Sequence, residues 1–256
     1  LQEDIPRIKE MLEQDRHKHR AGIRGAARML RRGFLVEDAE TRERQMRVAL
    51  RRIQQPAARG SVSQFISSPM SFLAAIDTDG VVIARDSEND QMRGLPFGER
   101  YPTVAAALSD GTEGREIGEF PSLEEGEPPS YSILFTAPVV HRGERVGAVV
   151  AGIPLWREAQ RLSNQMRIDH ASEIQDGLIV WVYVYKADRV FYGPDTPPEV
   201  NDIVPDHAAR TAGLAASPGG FTGDLQLHGR WYGYAVVPVP SLGEDIGVVM
   251  MRSDPQ

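Results

Sequence analysis

Six residues recur at a fixed interval of 100 positions. Pro138, Val139, Gly143, Glu144, Gly147 and Val149 return as Pro238, Val239, Gly243, Glu244, Gly247 and Val249. Each copy opens on an aromatic residue, Tyr131 or Trp231, and runs as strand, Gly-containing turn, strand. A repeat that occurs twice is not a solenoid, which needs several stacked units to bury a continuous core. It predicts two copies of one small module with a common strand order.

Composition narrows what such a pair can do. At 256 residues with a net charge of −7, the chain can bury a real core but has no dominant basic face for nucleic acid. It contains no Cys, which removes disulfides, thiolate metal sites and Cys nucleophiles. No apolar run approaches the roughly 20 residues of a membrane span, and no leader pattern is present. The chain starts at Leu1, so we expect a piece of a longer protein whose flanking membrane spans lie elsewhere.

The first fifty or so positions read as polar helix. Ile5, Ile8, Leu12, Ile23, Ala26, Met29 and Leu30 keep a three-to-four spacing. Asp15 to Arg20 interrupts that stripe and reads as a solvated face. His17 and His19 cannot chelate one metal from a helix, since two positions diverge by about 200°. Gly33 breaks the pattern, Asp38 is placed to cap a second helix over 41–54, and 56–63 has linker composition.

In the first module, positions 72–77 and 81–85 read as strands across the turn Thr78-Asp79-Gly80. A Gly- and Pro-bearing loop then leads to a short helix over 103–109. Strands over 115–120, 131–140 and 145–153 follow, with an acidic loop at 122–129. A five-stranded antiparallel sheet with helices on one face satisfies this order. Helix over 155–174 joins it to a second set, with strands over 178–185, 189–192, 221–227, 230–239 and 246–252 and a helix over 206–216. The fold class is therefore α+β: a long N-terminal helix, then two modules, each an antiparallel sheet with flanking helices.

FLAAIDTDGVVIARDS, GLPFGERYPTVAAALSDG and YSILFTAPVVHRGERVGAVVAGIPL, in that order, resemble the Cache family of PAS-like extracytoplasmic sensor domains. The whole arrangement resembles its double-Cache (PDC-type) form, well over about 70–155 and loosely over 176–253. The resemblance implies a helical dimerisation region at 1–60, a membrane-distal module at 61–155, a connecting helix at 156–175 and a membrane-proximal module at 176–256. It further implies a periplasmic part of a transmembrane signal transducer, such as a chemoreceptor. Such a domain binds a small molecule in its distal module and passes the signal through helices.

Arg100 and Tyr101 align roughly with the family's Arg-x-aromatic segment before the short helix, although Pro102 and Thr103 stand where the family has an aromatic pair. Tyr131 and Phe135 share one face of a strand by alternation, and Arg85 ends another. An Arg fork with a Tyr hydroxyl suits a carboxylate. Arg85, Arg100, Tyr101, Tyr131 and Phe135 are accordingly the candidate ligand-binding residues. Each also has a plain reading: Arg85 in an ion pair with Asp86, Tyr131 and Phe135 as core. Amino-acid-binding relatives carry an Asp near the end of the last distal strand, and Gly152 stands there instead. An ammonium buried without a carboxylate is costly, so the expected ligand is a short organic acid.

No Gly-rich phosphate loop, helical His pair or Gly-x-Ser-x-Gly elbow is present, so no enzyme is expected. No cofactor and no metal are expected either. The stripe at Ile5, Ile8 and Leu12 predicts a homodimer through the first helix. The competing readings are a cytoplasmic PAS-type sensor with a bound cofactor and a dimerisation module that binds nothing.

Overall fold

The computed structural model describes residues 1–54, 71–121, 126 and 128–253. The expected linker at 56–63 and most of the acidic loop at 122–129 lie outside them. The chain divides into two compact units, one of residues 15–154 and one of residues 1–14 with 155–256.

The first unit begins in the long helix α1, Asp4–Leu30. Its buried positions are Asp15, His19, Ile23, Ala26, Ala27 and Leu30. These keep the three-to-four spacing, so the stripe is continuous in space although it turns polar in the middle. Asp15 and His19 are 7% and 8% exposed, which corrects the solvated-face reading for those two residues. His17 and Lys18 are exposed as expected. Helix α2, Ala39–Gln54, follows. Asp38 Oδ2 accepts the Thr41 N–H at 2.8 Å, the expected cap. Asp38→Ala should lower the midpoint of urea unfolding, as loss of an N-cap acceptor does.

Strands β1 (Phe72–Ile76) and β2 (Val82–Arg85) form a hairpin. Helices α3 (Phe97–Arg100) and α4 (Pro102–Ser109) come next. Strands β3 (Gly114–Phe120), β4 (Ser130–His141) and β5 (Glu144–Pro154) complete an antiparallel sheet ordered β2-β1-β5-β4-β3. One face packs on α1 and α2, with Ile23, Leu30, Met46, Leu50, Leu73, Ala137 and Val149 in a common core. The other face packs on Phe97, Tyr101, Val104 and Ala107 of α3, α4 and the residue between them. Helical layers thus cover both faces, where one was expected. That explains β1, buried at all five positions with no polar alternation.

The second unit contains α5 (Leu155–Asp169) and α6 (Ala171–Gln175), then β6 (Val180–Lys186) and β7 (Arg189–Phe191). Helices α7 (Pro198–Asn201) and α8 (His207–Ala216) precede β8 (Phe221–Leu227), β9 (Arg230–Pro238) and β10 (Ile246–Ser253). The sheet order is β7-β6-β10-β9-β8, the first sheet's order repeated. The short α7 was not read from the sequence, because the two prolines at 197 and 198 suggested only loop. The start of α1 belongs to this unit, with Ile8 at 0% and Met11 at 2% exposure. Of the apolar residues that motivated the homodimer, Ile8 is thus covered within one chain, while Ile5 and Leu12 are only half-buried.

A charge cluster ties the two ends of this unit. His170 Nε2 lies 3.0 Å from Asp4 Oδ1, and its Nδ1 lies 2.6 Å from Glu173 Oε1. Arg252, near the end of β10, reaches Asp4 at 3.5 Å and also bonds Glu173.

Candidate functional site

The face of the first sheet under α3 and α4 is built by its turns. Asp77 Oδ1 accepts the N–H groups of Asp79 (3.0 Å) and Val81 (2.8 Å), closing the β1–β2 hairpin. Gly80 sits there at φ +83°, and a Cβ on it would lie 2.7 Å from the Gly98 Cα. The Gly98 N–H donates to the Gly80 carbonyl at 2.8 Å. This contact of two glycines pins α3 against the hairpin and turns Phe97 and Tyr101 onto the sheet.

Aromatic rings fill the space so formed. Phe72 meets Phe120 and Phe97 edge-on, at 5.5 and 6.5 Å between centroids. Tyr101 stands edge-on to Phe97 at 4.8 Å. The Phe72 ring lies directly over Gly152, where a Cβ would come within 2.0 Å of it. The space that a side chain at position 152 would need is thus taken by an aromatic ring.

Two donors converge at the rim. Arg100 Nη2 and the Tyr101 hydroxyl both donate to the Glu119 carbonyl oxygen, at 2.6 and 3.1 Å. The Arg100 guanidinium lies 5.6 Å from the Tyr101 ring centroid. Arg100 is exposed and Tyr101 is buried. Burial pushes the Tyr101 phenol up to about 12, so it stays a donor at neutral pH.

The other candidates divide. Arg85 is on this face, its guanidinium 5.6 Å from the Phe72 ring centroid and its Nε 3.5 Å from Asp86 Oδ1. Burial raises the Asp86 carboxyl, against the opposing pull of Arg85. Tyr131 and Phe135 do share one face, but it is the opposite one. Phe135 packs on His19 of α1 at 4.9 Å, and Ala137 and Val139, in phase with it, belong to the α1–α2 core. The sheet therefore separates Tyr131 and Phe135 from Arg100 and Tyr101, and they do not line one pocket. Strand alternation gave the grouping but not the side.

Sequence reading passed over a polar knot on the α4 face. Glu116 Oε1 accepts the Thr103 N–H at 2.8 Å and also its hydroxyl, which lies 3.3 Å from Thr136 Oγ1. Glu116 anchors the first turn of α4, a role that its place on an outer strand did not announce. Two surface clefts lie elsewhere: one of about 520 Å³ lined by Met29, Arg44, Val48 and Arg52, and one of about 420 Å³ near Leu108 and Arg145. No group of His, Cys, Asp and Glu among the described residues has metal-binding geometry.

No family model and no curated protein matches this chain. Solved structures do. The ligand-binding domain of the Campylobacter jejuni chemoreceptor Tlp3, in complex with 4-methylisoleucine, is similar at a TM-score of 0.59 and 11% identity, over 98% of this chain and 88% of that one. The same receptor's sensory domain with isoleucine bound gives a TM-score of 0.57 at 10% identity, over 98% and 90%. The sensor domain of the V. cholerae histidine kinase DctB gives 0.53 at 17% identity, over 100% and 95%. With two sheets of one strand order behind a long helix, and this likeness along nearly all its length, the chain has the double-Cache fold.

Proposed function

We propose that this chain is the extracytoplasmic ligand-sensing domain of a transmembrane signal transducer of the chemoreceptor type. Its ligand is a small carboxylate held in the first module by Arg100 and Tyr101. The observation that carries the reading is the convergence of those two donors on one oxygen, the Glu119 carbonyl. A ligand carboxylate would draw the same two donors away from that carbonyl, with the Arg supplying charge and the Tyr direction. The full-length likeness to sensory domains of receptors supports the functional class. No helix among the described residues is long and apolar enough to cross a membrane, so the spans are assigned to flanking segments.

Phe72 over Gly152 sets the ligand's chemistry. With no carboxylate at that position, an α-amino acid would bury its ammonium without a partner, whereas its deaminated analogue leaves nothing unsatisfied. The test is a thermal-shift screen of short organic acids beside the matching amino acids, followed by calorimetry. Ligand at a hundred times its Kd stabilises by about 2.7 kcal/mol, well within detection. Arg100→Ala and Tyr101→Phe should each weaken the best acid by about one to two decades, the loss of a charge-assisted bond. Equal affinity in both variants, or tighter binding of the amino acid, would sink this reading.

A further inference from the structure

The second module holds a buried hydroxyl that the fold leaves unanswered. Tyr183, in the middle of β6, is 0% exposed, and its hydroxyl has no hydrogen-bond partner among the described residues. Such a group forfeits its water on folding and recovers nothing. A Phe would pack the same volume without that loss, so a Tyr at this position makes sense if something else meets the oxygen.

Its neighbours form a setting for a ligand. Tyr232 of β9, 6% exposed, shares a core cluster with Tyr183, Val200 and Val204. Tyr192, just beyond β7, stands 5.9 Å from Tyr183 ring to ring and is 37% exposed, so the group reaches the surface through it. The phenols of Tyr192 and Tyr232 are near enough to add to the effect of burial in raising Tyr183. The buried cation of this module, Arg210, is engaged elsewhere. It donates to the carbonyls of Pro205 and Ala187 and lies 4.6 Å over the Tyr185 ring. Arg167, 4.0 Å over the Trp181 ring that packs on the same cluster, is paired with Asp195 at 2.9 Å, so the phenols stand among apolar and aromatic walls with both nearby cations engaged.

We propose that Tyr183, Tyr192 and Tyr232 form a second binding site, for a small uncharged molecule that presents an acceptor oxygen, such as a primary amide, ketone or alcohol. Phenols donate to such an oxygen, and the surrounding rings and valines accept a short aliphatic part. A carboxylate would be buried here with Arg210 and Arg167 already committed to carbonyls and to Asp195, and is disfavoured by that cost. The site does not depend on the first module's ligand reading.

The experiment uses isotope-labelled protein, with acetamide and acetate as probes and the backbone amides of Tyr183, Tyr192 and Tyr232 as reporters. Acetamide should move these signals and acetate should not. Tyr183→Phe should weaken the acetamide response at least tenfold. It should also raise the melting temperature of the free protein by roughly 2–4 °C, because the orphan hydroxyl is gone. Arg100→Ala should leave the response intact, which separates this site from the first module's. A stronger response to acetate, an unchanged response in Tyr183→Phe, its loss in Arg100→Ala, or a lowered melting temperature in Tyr183→Phe would each overturn the proposal. So would the absence of any response to acetamide in the parent protein.

Discussion

Gly152→Asp should cost more than about 4 kcal/mol and leave little folded protein. Two terms add. The new Cβ would stand 2.0 Å from the Phe72 ring, in a sheet whose strands β1 and β5 are packed on both sides. Overpacking of that kind costs about 1–3 kcal/mol. The carboxylate would then be buried among Phe72, Phe97 and Leu134, at several kcal/mol more for an unpaired charge. Against a typical total stability of about 5–15 kcal/mol, the sum is close to unfolding. Gly152→Ala isolates the steric part. Made on a Phe72→Ala background, where the ring is gone, it should cost much less than on the parent protein, the non-additivity of touching residues. Urea unfolding of the four proteins measures it. Equal costs on both backgrounds would mean that Phe72 is not what excludes a side chain from position 152.

Acid should weaken the first module through His19, by about 3.5 kcal/mol at most. Burial is the main cause that brings the imidazole down to about 4 from an ordinary 6.5, with Lys18 and Arg115 adding to it. In the folded protein His19 therefore stays neutral, while in the unfolded chain it takes a proton as the pH falls below about 6.5. The unfolded state binds the extra proton, so stability is full above about pH 6.5. It declines as the pH drops toward 4 and stops declining once the folded form is protonated too. A difference of about 2.5 pH units at 1.36 kcal/mol each sets the magnitude. Carboxylates also contribute to acid unfolding, so the informative quantity is the difference between parent and His19→Leu. Urea midpoints at about pH 7 and about pH 4.5 should draw together in the variant by most of that amount. An unchanged slope would place the titration elsewhere.

The architecture was readable because each module announces its strands by turns with a physical cause. Asp77 and Gly80 close one hairpin and Gly143 another, and the 100-residue echo of Gly147 in Gly247 carries the same order into the second sheet. What stayed hidden were facts that need a third dimension. Alternation groups Tyr131 with Phe135 but carries no sign, so which face meets α4 and which meets α1 could not be told. His19 looked solvated because its neighbours Lys18 and Arg20 are; only the helical phase from Ile8 to Ile23 shows it turned inward. Gly152 was noticed for the missing side chain, while the ring of Phe72, 80 positions earlier, supplies the reason for it. Tyr183 read as one more residue of an apolar strand, since an unanswered hydroxyl is visible only once its surroundings are assembled.

The cluster of Asp4, His170, Glu173 and Arg252 has a topological consequence. Asp4 opens α1 and Arg252 lies one residue from the end of β10, so the first helix and the last strand of this unit are latched side by side although 248 positions separate them. Because Asp4 and His170 are largely buried, that junction should withstand added salt better than the exposed ion pairs of the surface.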